Sequence, residues 1–222
     1  MMKLDELQES FNNKSLFDLA LTHKSWVNEH PKARESNERL EFLGDAVLEF
    51  VVSKRLFTSF PKKEEGFLTA LRANLVNTVN LAEVARKMKI GKSLYLSKGE
   101  EEGGGRDNPS LLANTIEALI GAIFIDGGIN SASEFIEKNI LNDLEIRASE
   151  PLKDAKSMLQ EIVQAQGNPA PKYNVVEEKG PDHAKKFTIE VLINGGRKAV
   201  GKGKNKGEAA QDAAKKALEM YS

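Results

Sequence analysis

Residues 37–48 read Asn37-Glu38-Arg39-Leu40-Glu41-Phe42-Leu43-Gly44-Asp45-Ala46-Val47-Leu48 and place three carboxylates in an otherwise apolar segment. With about 100° of rotation per residue in an α-helix, Glu41 and Asp45 lie one turn apart on one face. Glu38 lies on the same side, one turn earlier. Like charges at this spacing repel, and burying them costs more still. The pattern predicts a helix that holds a cation, and hard oxygen ligands favour Mg²⁺ or Mn²⁺.

A second segment, residues 111–122, carries a related signal. Asn114 and Glu117 are one helical turn apart, and Glu117 is the one ionisable side chain in this apolar run. A glutamate there is costly unless it is paired or bound to a metal. We favour a metal ligand over the alternative, a salt bridge to a buried arginine such as Arg72. The two segments together predict an all-oxygen site with four ligands, of the kind that activates water for phosphodiester hydrolysis.

Composition excludes several other classes of protein. The 222 residues contain no cysteine, which excludes disulfides, thiolate zinc sites and cysteine nucleophiles. There are only three histidines, and the longest apolar run, residues 118–125, is too short to span a bilayer. The first ten residues carry acids and lack the pattern of a signal peptide. These features predict a soluble cytoplasmic protein without a membrane partner.

Charge is distributed unevenly along the chain. The whole sequence has a formal net charge of −1, but residues 1–153 carry −4 and residues 154–222 carry +3. Five basic residues fall together without an acid near the end of the chain, at positions 197, 198, 202, 204 and 206. This asymmetry predicts metal chemistry in the first part and binding of a polyanion in the second.

The periodicity of apolar residues changes in the same place as the charge. Residues 1–147 show helical spacing throughout, and the charged, glycine-rich stretch 99–107 reads as a surface loop. Residues 148–153 read as a polar linker. After a helix over 154–166, strands are predicted at 173–177, 187–193 and 198–203, followed by a closing helix from residue 206. We therefore predict two domains, an all-α domain (1–147) and an α+β domain of order α-β-β-β-α (154–222).

These motifs resemble the ribonuclease III family. The signature is Glu38–Ala46. Further similar segments occur on both sides of it in the family's order, at residues 20–26, 65–68, 71–76 and 117–122. The α-β-β-β-α tail is similar to the family's double-stranded-RNA-binding domain. The resemblance covers essentially the whole chain and matches the bacterial form, with one nuclease domain and one binding domain.

The resemblance implies a metal-dependent endoribonuclease that acts on double-stranded RNA as a homodimer. Glu41, Asn114, Glu117 and Asp45 would hold Mg²⁺, which Mn²⁺ can replace, and Asp45 and Glu117 would be the catalytic carboxylates. Each subunit would cut one strand, leaving 5′-phosphate and 3′-hydroxyl ends with short 3′ overhangs. Processing of ribosomal and messenger RNA precursors is the family expectation.

Other residues take supporting roles under the same resemblance. Glu38 and Glu65 would lie near the site and help to place the RNA. Phe42 would insert into the partner subunit across a two-fold axis, although a helix interior also accommodates phenylalanine, so a core position remains open.

The second domain offers three surfaces for a duplex, which proteins recognise mostly by shape through 2′-hydroxyl and phosphate contacts. One face of its first helix carries Ser157, Gln160, Glu161 and Gln164. The loop with His183 could reach a second minor groove. Lysines before the last helix would contact phosphate, namely Lys202, Lys204 and Lys206.

Two positions depart from the family pattern. Asn114 stands where the family usually has aspartate, which predicts weaker metal binding and leaves open a duplex-RNA-binding protein with weak or absent cleavage. Gly207 stands where a further lysine is frequent. A third hypothesis, a histidine-driven ribonuclease that forms cyclic phosphates, would require His23 and His183 to act together.

Overall fold

The computed structural model describes residues 3–150, 152, 154–181 and 185–221. Its contacts divide the chain into two compact units, Met1–Leu152 and Lys153–Ser222. The helices of the first unit are α1 (Leu4–Ser10), α2 (Lys14–Ala20), α3 (Lys24–Glu29), α4 (Glu38–Ser59), α5 (Glu65–Val76), α6 (Thr78–Lys87), α7 (Lys98–Glu102), α8 (Pro109–Asn139) and α9 (Leu144–Ser149). Short 3₁₀ turns cover Ile90–Ser93 and Gly105–Asp107.

The second unit has the predicted α-β-β-β-α order. It consists of α10 (Ala155–Ala165), β1 (Lys172–Lys179), β2 (Lys186–Ile193), β3 (Gly196–Gly203) and α11 (Lys206–Leu218). The strands form one antiparallel sheet in the order β1-β2-β3. Asn194 and Gly195 both have positive φ, 52° and 74°, as a tight turn between two twisted strands requires. The predicted fold class, a helical domain followed by an α+β domain, is confirmed.

Helices α4 and α8 cross so closely that their backbones touch. A Cβ atom on Gly44 would overlap the carbonyl group of Glu117 and lie 2.8 Å from the amide nitrogen of Gly121. A Cβ atom on Gly121 would in turn overlap the carbonyl oxygen of Leu40. The two glycines therefore bring the acidic turn of each helix against the other, which is the crossing that assembles the candidate site.

Helix α8 is the central core helix of the first unit. Among the described residues, α8 is the one helix that is long and apolar enough to cross a membrane. However, 56% of its most apolar segment is buried inside the protein, as expected for a core helix. It packs against α4, α6 and α2. The helix is interrupted at Gly128, whose φ of 75° and ψ of −174° are accessible essentially to glycine only.

Two details differ from the sequence-based expectations. The stretch predicted as a surface loop, 99–107, forms α7 and a 3₁₀ turn instead. Ser97 caps α7 by accepting a hydrogen bond from the Glu100 amide, and Arg106 donates to the carbonyl oxygens of Gly91, Lys92 and Leu94. The first residues of the predicted linker, 148–153, lie in α9, because Ala148 packs against the core of the first unit. A single-sequence pattern carries no signal for such contacts between distant segments.

In the second unit, α11 packs directly on β3. Five alanines line the buried face of the helix, at positions 209, 210, 213, 214 and 217. Cβ atoms on Gly201 and Gly203 would overlap the helix backbone at Ala209 and Ala213. Small residues on both sides therefore set the distance between helix and strand. Leu159 and Val163 of α10 complete this core.

Candidate functional site

The acidic residues of α4 and α8 meet at the helix crossing. Glu41 and Glu117 are half-buried, and Asp45 is exposed. Burial, followed by repulsion from Asp45 and Glu41, raises the pKa of Glu117 to about 7. Burial also raises the pKa of Glu41, with Glu38 the largest repulsive contribution. The crossing thus holds Asp45 and Glu41 close enough to Glu117 to oppose its ionisation.

Two further side chains act on Glu41. The amide of Asn114 on α8 stabilises the charged form of Glu41, and so does the nearby ammonium of Lys24. Lys24 Nζ lies 3.3 Å from Glu38 Oε1 in an ion pair that is largely exposed to solvent. Hydrogen bonds from Ser36 and then Lys24 lower the pKa of Glu38. Glu38 is therefore held at the edge of the site by α3 and by the turn before α4.

The donor set at the crossing fits a hard divalent cation. It offers three carboxylates and one amide oxygen and contains no sulfur or imidazole, which are the preferences of Mg²⁺ and Mn²⁺. Burial first, and then repulsion from Asp45 and Glu41, raises the pKa of Glu117, and a bound dication would favour its ionised form against both. Within the described ranges, no three His, Cys, Asp or Glu side chains are already gathered as a metal cluster. The helices bring the ligand candidates to one place, and closing around an ion would need side-chain rotation.

The structure contradicts two alternative interpretations from the sequence, a salt bridge between Glu117 and Arg72 and a core position for Phe42. Glu117 does not pair with Arg72, because Arg72 Nε lies 2.8 Å from Glu49 Oε2 and its Nη1 donates to Ser53 Oγ at 2.8 Å. Phe42 is not a core residue, since 81% of its surface is exposed. The charge of Glu117 is therefore not balanced by Arg72, and the apolar side chain of Phe42 is not stabilised by burial in this unit.

Glu65 lies apart from the other acids. It lines an apolar groove of about 370 Å³ between α4 and α5, with Phe50, Phe57 and Arg72 among its neighbours. Its Oε1 accepts a hydrogen bond from Thr69 Oγ1 at 2.7 Å. Within one chain, the structure does not bring Glu65 to Glu41 and Glu117.

The exposed apolar side chains of α4 form a single stripe. Phe42, Phe50 and Phe57 are 81%, 57% and 73% exposed, and their spacing of eight and seven residues places them within about 80° of one another around the helix. Three exposed phenylalanines on one face are unusual for a protein surface in contact with water only.

The second unit presents the polar face that the sequence predicts on α10. Asp154 caps the helix by accepting from the Lys156 and Ser157 amides, while Leu159 and Val163 face the core. The opposite face consists of exposed polar side chains, namely Ser157, Gln160, Glu161 and Gln164.

The lysine cluster is exposed as well. Lys202, Lys204 and Lys206 surround the amino terminus of α11, and Asn205 caps that helix by accepting from the Glu208 amide. The amides of Lys202 and Lys204 donate to Asp212 and Glu208, which fixes the backbone at this point. His183 lies outside the described residues.

Sequence reasoning missed three contributors. Lys24 and Gly121 contribute to the site from distant parts of the chain, and the local sequence around each does not predict this role. His23 is half-buried and lines a small cavity together with Glu41 and Asn114. The one available signal was Gly44, whose place between two carboxylates indicates a close approach of another backbone.

Comparisons with known proteins agree with this architecture. A family model described as Ribonuclease-III-like matches residues 13–144, and a model of the double-stranded RNA binding motif matches residues 155–221. The chain is 46% identical to Ribonuclease 3 of Geobacillus kaustophilus, over 98% of this chain and 90% of the relative. It is 48% identical to Ribonuclease 3 of Carboxydothermus hydrogenoformans, over 95% and 91%.

Solved structures give the same result for the first unit. The nuclease domain of ribonuclease III from Campylobacter jejuni is 40% identical, with a TM-score of 0.57 over 64% of this chain and 97% of that one. A second structure of that domain, described for structural flexibility in a region involved in dimer formation, has a TM-score of 0.58 at 40% identity over 64% and 99%.

Proposed function

The chain belongs to the ribonuclease III family of endoribonucleases, and we propose that it hydrolyses double-stranded RNA at a divalent metal site formed by α4 and α8. The observation that carries this proposal is the convergence of Glu41, Asp45 and Glu117 at the glycine-mediated helix crossing, where burial and mutual repulsion raise the pKa of Glu117 to about 7. A second domain with an exposed polar helix face and a lysine cluster supports a duplex substrate.

Glu41, Asn114, Glu117 and Asp45 would hold Mg²⁺, or Mn²⁺ in its place. The ion would lower the pKa of a bound water molecule and offset charge on the phosphate. Asp45 and Glu117 would orient the attacking water as the essential carboxylates. Water attacks the phosphorus and the ribose 3′-oxygen leaves, so the products carry a 5′-phosphate and a 3′-hydroxyl.

The second domain would bind the duplex by shape. Ser157, Gln160 and Gln164 can exchange hydrogen bonds with 2′-hydroxyl groups in a minor groove, and Glu161 can accept one. The lysines at 202, 204 and 206 stand at the amino terminus of α11, where the ammonium groups and the helix dipole both favour phosphate. His183 remains a predicted contact to a second minor groove.

Two copies of the chain would be needed for a complete site. The stripe of Phe42, Phe50 and Phe57 and the adjoining apolar groove are suited to a second copy, which would bury surface that water now covers. Glu65 lies on that groove and away from its own chain's carboxylates, so a symmetric dimer could place it near the partner's site. Each site would then cut one strand and produce short 3′ overhangs.

The alternative is a duplex-RNA-binding protein that cleaves weakly or not at all. Asn114 motivates it, because an amide supplies one neutral oxygen where a carboxylate would supply charge. Its contact with Glu41 partly offsets this loss by stabilising the ionised glutamate. We favour the active enzyme, since the three carboxylates of the crossing are all present.

The deciding experiment compares cleavage of long duplex RNA with Mg²⁺ and with chelator, followed by identification of the ends. Metal-dependent cuts with 5′-phosphates support the proposal. Binding without cleavage supports the alternative, and chelator-resistant cyclic phosphates would support a histidine-driven reaction. Cleavage of structured ribosomal and messenger precursors in the cytoplasm is the expected cellular role.

Asn114→Asp tests the metal site more directly. We expect tighter Mg²⁺ binding, because a charged ligand replaces a neutral one, and a lower melting temperature without metal, because a fourth carboxylate adds repulsion. Asn108→Asp is the matched control: it adds the same charge at the cap of α8, where aspartate caps equally well. Equal Mg²⁺ affinity for the two variants would contradict the assignment of position 114.

A further inference from the structure

His23 is fixed in one orientation and one tautomer by its neighbours. Its Nδ1 accepts a hydrogen bond from the Ser25 backbone amide at 3.3 Å and lies 2.8 Å from Ser25 Oγ. The Ser25 hydroxyl oxygen itself accepts from the Ser97 amide at 3.0 Å, so the hydroxyl hydrogen is free to point at the ring. A backbone amide can only donate, so Nδ1 carries the lone pair and, in the neutral ring, the proton lies on Nε2.

The backbone around His23 is held equally firmly. The His23 amide donates to the Tyr95 carbonyl oxygen at 3.1 Å, and the Tyr95 amide donates to that of Leu21 at 2.9 Å. Burial lowers the pKa of His23, against the attraction of Glu100 and Glu38 and with the help of Lys24. The imidazole is therefore neutral near pH 7 and presents a rigid Nε2–H donor.

This donor has no hydrogen-bond partner within the described part of the chain, and His23 lines a small cavity that has both polar and apolar walls. The cavity has a volume of about 50 Å³, and its polar walls include Glu38, Glu41, Asn114 and Lys24. A water molecule needs roughly 10–15 Å³ of such space and two to four polar partners. The cavity therefore has room and partners for one or two ordered water molecules.

We propose that His23 is a positioning residue which, through an ordered water molecule in this cavity, orients the carboxylate of Glu41. The water would accept from His23 Nε2–H and donate to Glu41. Groups that hydrogen-bond to a ligating carboxylate fix its direction, and removing them commonly weakens metal binding 10- to 100-fold. The inference rests on the proposed metal site, but it concerns a residue that makes no contact with the ion.

A pair of variants separates this role from simple capping of α3. In His23→Asn the side-chain oxygen can still accept from the Ser25 amide, since asparagine is a good N-cap residue, but the amide is too short to reach the position of Nε2. In His23→Gln the longer amide can place a donor near that position, while the cap is poorer. Positioning predicts that Asn is the more damaging change for the metal site, whereas capping alone predicts that Gln is.

The measurements are Mn²⁺ dissociation constants by calorimetry and the Mn²⁺-induced shift in melting temperature, on the full chain. We expect His23→Asn to raise the dissociation constant at least roughly tenfold, and His23→Gln to restore most of the loss. Glu100→Gln is the control: Glu100 acts on the His23 ring but does not line the cavity, and we expect Mn²⁺ affinity to stay as in the wild type. Unchanged affinity in His23→Asn, or an equal loss in Glu100→Gln, would overturn the inference.

Nitrogen-15 NMR of the histidine rings tests the tautomer of His23 in the wild-type protein, so this measurement does not depend on the folding of a variant. We expect the His23 signals to show a protonated Nε2 and an unprotonated Nδ1, and a protonated Nδ1 would refute the argument. The two proposals fail differently. A wild-type protein that binds no Mn²⁺ contradicts the metal site itself, whereas a wild-type protein that binds Mn²⁺ and is matched by His23→Asn contradicts only the role of His23.

Discussion

Replacing Gly44 by alanine should move α4 away from α8 and thereby displace the carboxylates of the candidate site. The new Cβ would overlap the Glu117 carbonyl group and lie 2.8 Å from the Gly121 amide nitrogen. Both contacts are with backbone, so no side chain can turn aside to make room. Relief must come from a shift of one helix, which moves Glu117 relative to Glu41 and Asp45.

The size of the effect follows from two opposing contributions. Alanine is favoured over glycine inside a helix by about 0.8–1 kcal/mol, while overpacking a close contact commonly costs about 1–3 kcal/mol and sometimes more. With backbone on both sides we expect the upper end of that cost, which leaves a net loss of about 2 kcal/mol. For a chain of this length, 1 kcal/mol corresponds to about 2–4 °C, so the melting temperature should fall by roughly 4–8 °C.

The matched control is Gly66→Ala, on the exposed surface of α5. No atom lies within 4 Å of a Cβ built there, so only the gain in helix propensity remains. Thermal unfolding should therefore move in opposite directions for the two variants, down for Gly44→Ala and slightly up for Gly66→Ala. The Mn²⁺-induced shift in melting temperature should also shrink in Gly44→Ala alone. If both alanines raise the melting temperature alike, the close crossing of α4 and α8 is wrong.

Three further predictions concern other parts of the molecule. Because Glu117 has a pKa of about 7 folded and an ordinary value of 4.5 unfolded, the unfolded chain loses this proton first, so metal-free stability should fall as pH rises from 4.5 to 7. Allowing for partial exposure, the contribution of Glu117 to this fall is about 2 kcal/mol. Glu117→Gln should remove that contribution and leave the smaller one from Glu41, whose pKa is also raised; parallel pH profiles of the two proteins would contradict this. Phe42→Asp should leave the fold intact, since the side chain is exposed, but weaken self-association by about 2 kcal/mol, roughly 30-fold, as measured by sedimentation; an unchanged dimer would remove Phe42 from the interface. Gly207→Lys should tighten duplex-RNA binding and steepen its salt dependence by about one phosphate contact, since only Asn205 Oδ1 lies close to its Cβ, at 3.2 Å; an unchanged salt slope would place position 207 away from the RNA.

The sequence contained enough to predict the order of helices and strands, because burial imposes a period that a single chain displays. It also pointed to Glu41, Asp45 and Glu117 as candidate metal ligands, because acids in apolar runs are costly; that role stays a prediction. It could not decide whether Phe42 was buried, because a phenylalanine on a helix has the same pattern whether its face meets the core or a partner. Nor could it place Glu65, whose distance from Glu41 depends on the packing of α5.

Contacts between distant segments set the remaining limits. The stretch around Arg106 reads as a loop because its charge and glycines dominate, yet three backbone carbonyl groups from residues 91–94 bind the guanidinium and order it. In the sequence, His23 is an isolated histidine. In the structure, its backbone amide donates to the Tyr95 carbonyl oxygen, and contacts of Nδ1 with Ser25 define its tautomer. Such arrangements depend on three-dimensional proximity, which periodicity does not encode.

The direct seating of β3 on α11 has a mechanical consequence for the second unit. Gly201 and Gly203 touch the helix backbone, and Lys202, which lies between them in β3, therefore points to the opposite side of the strand. The distance between Lys202 and the start of α11 is thus set by main-chain contacts and not by the size of side chains in the interior. Truncating Leu159 or Val163 should loosen the unit without changing that distance.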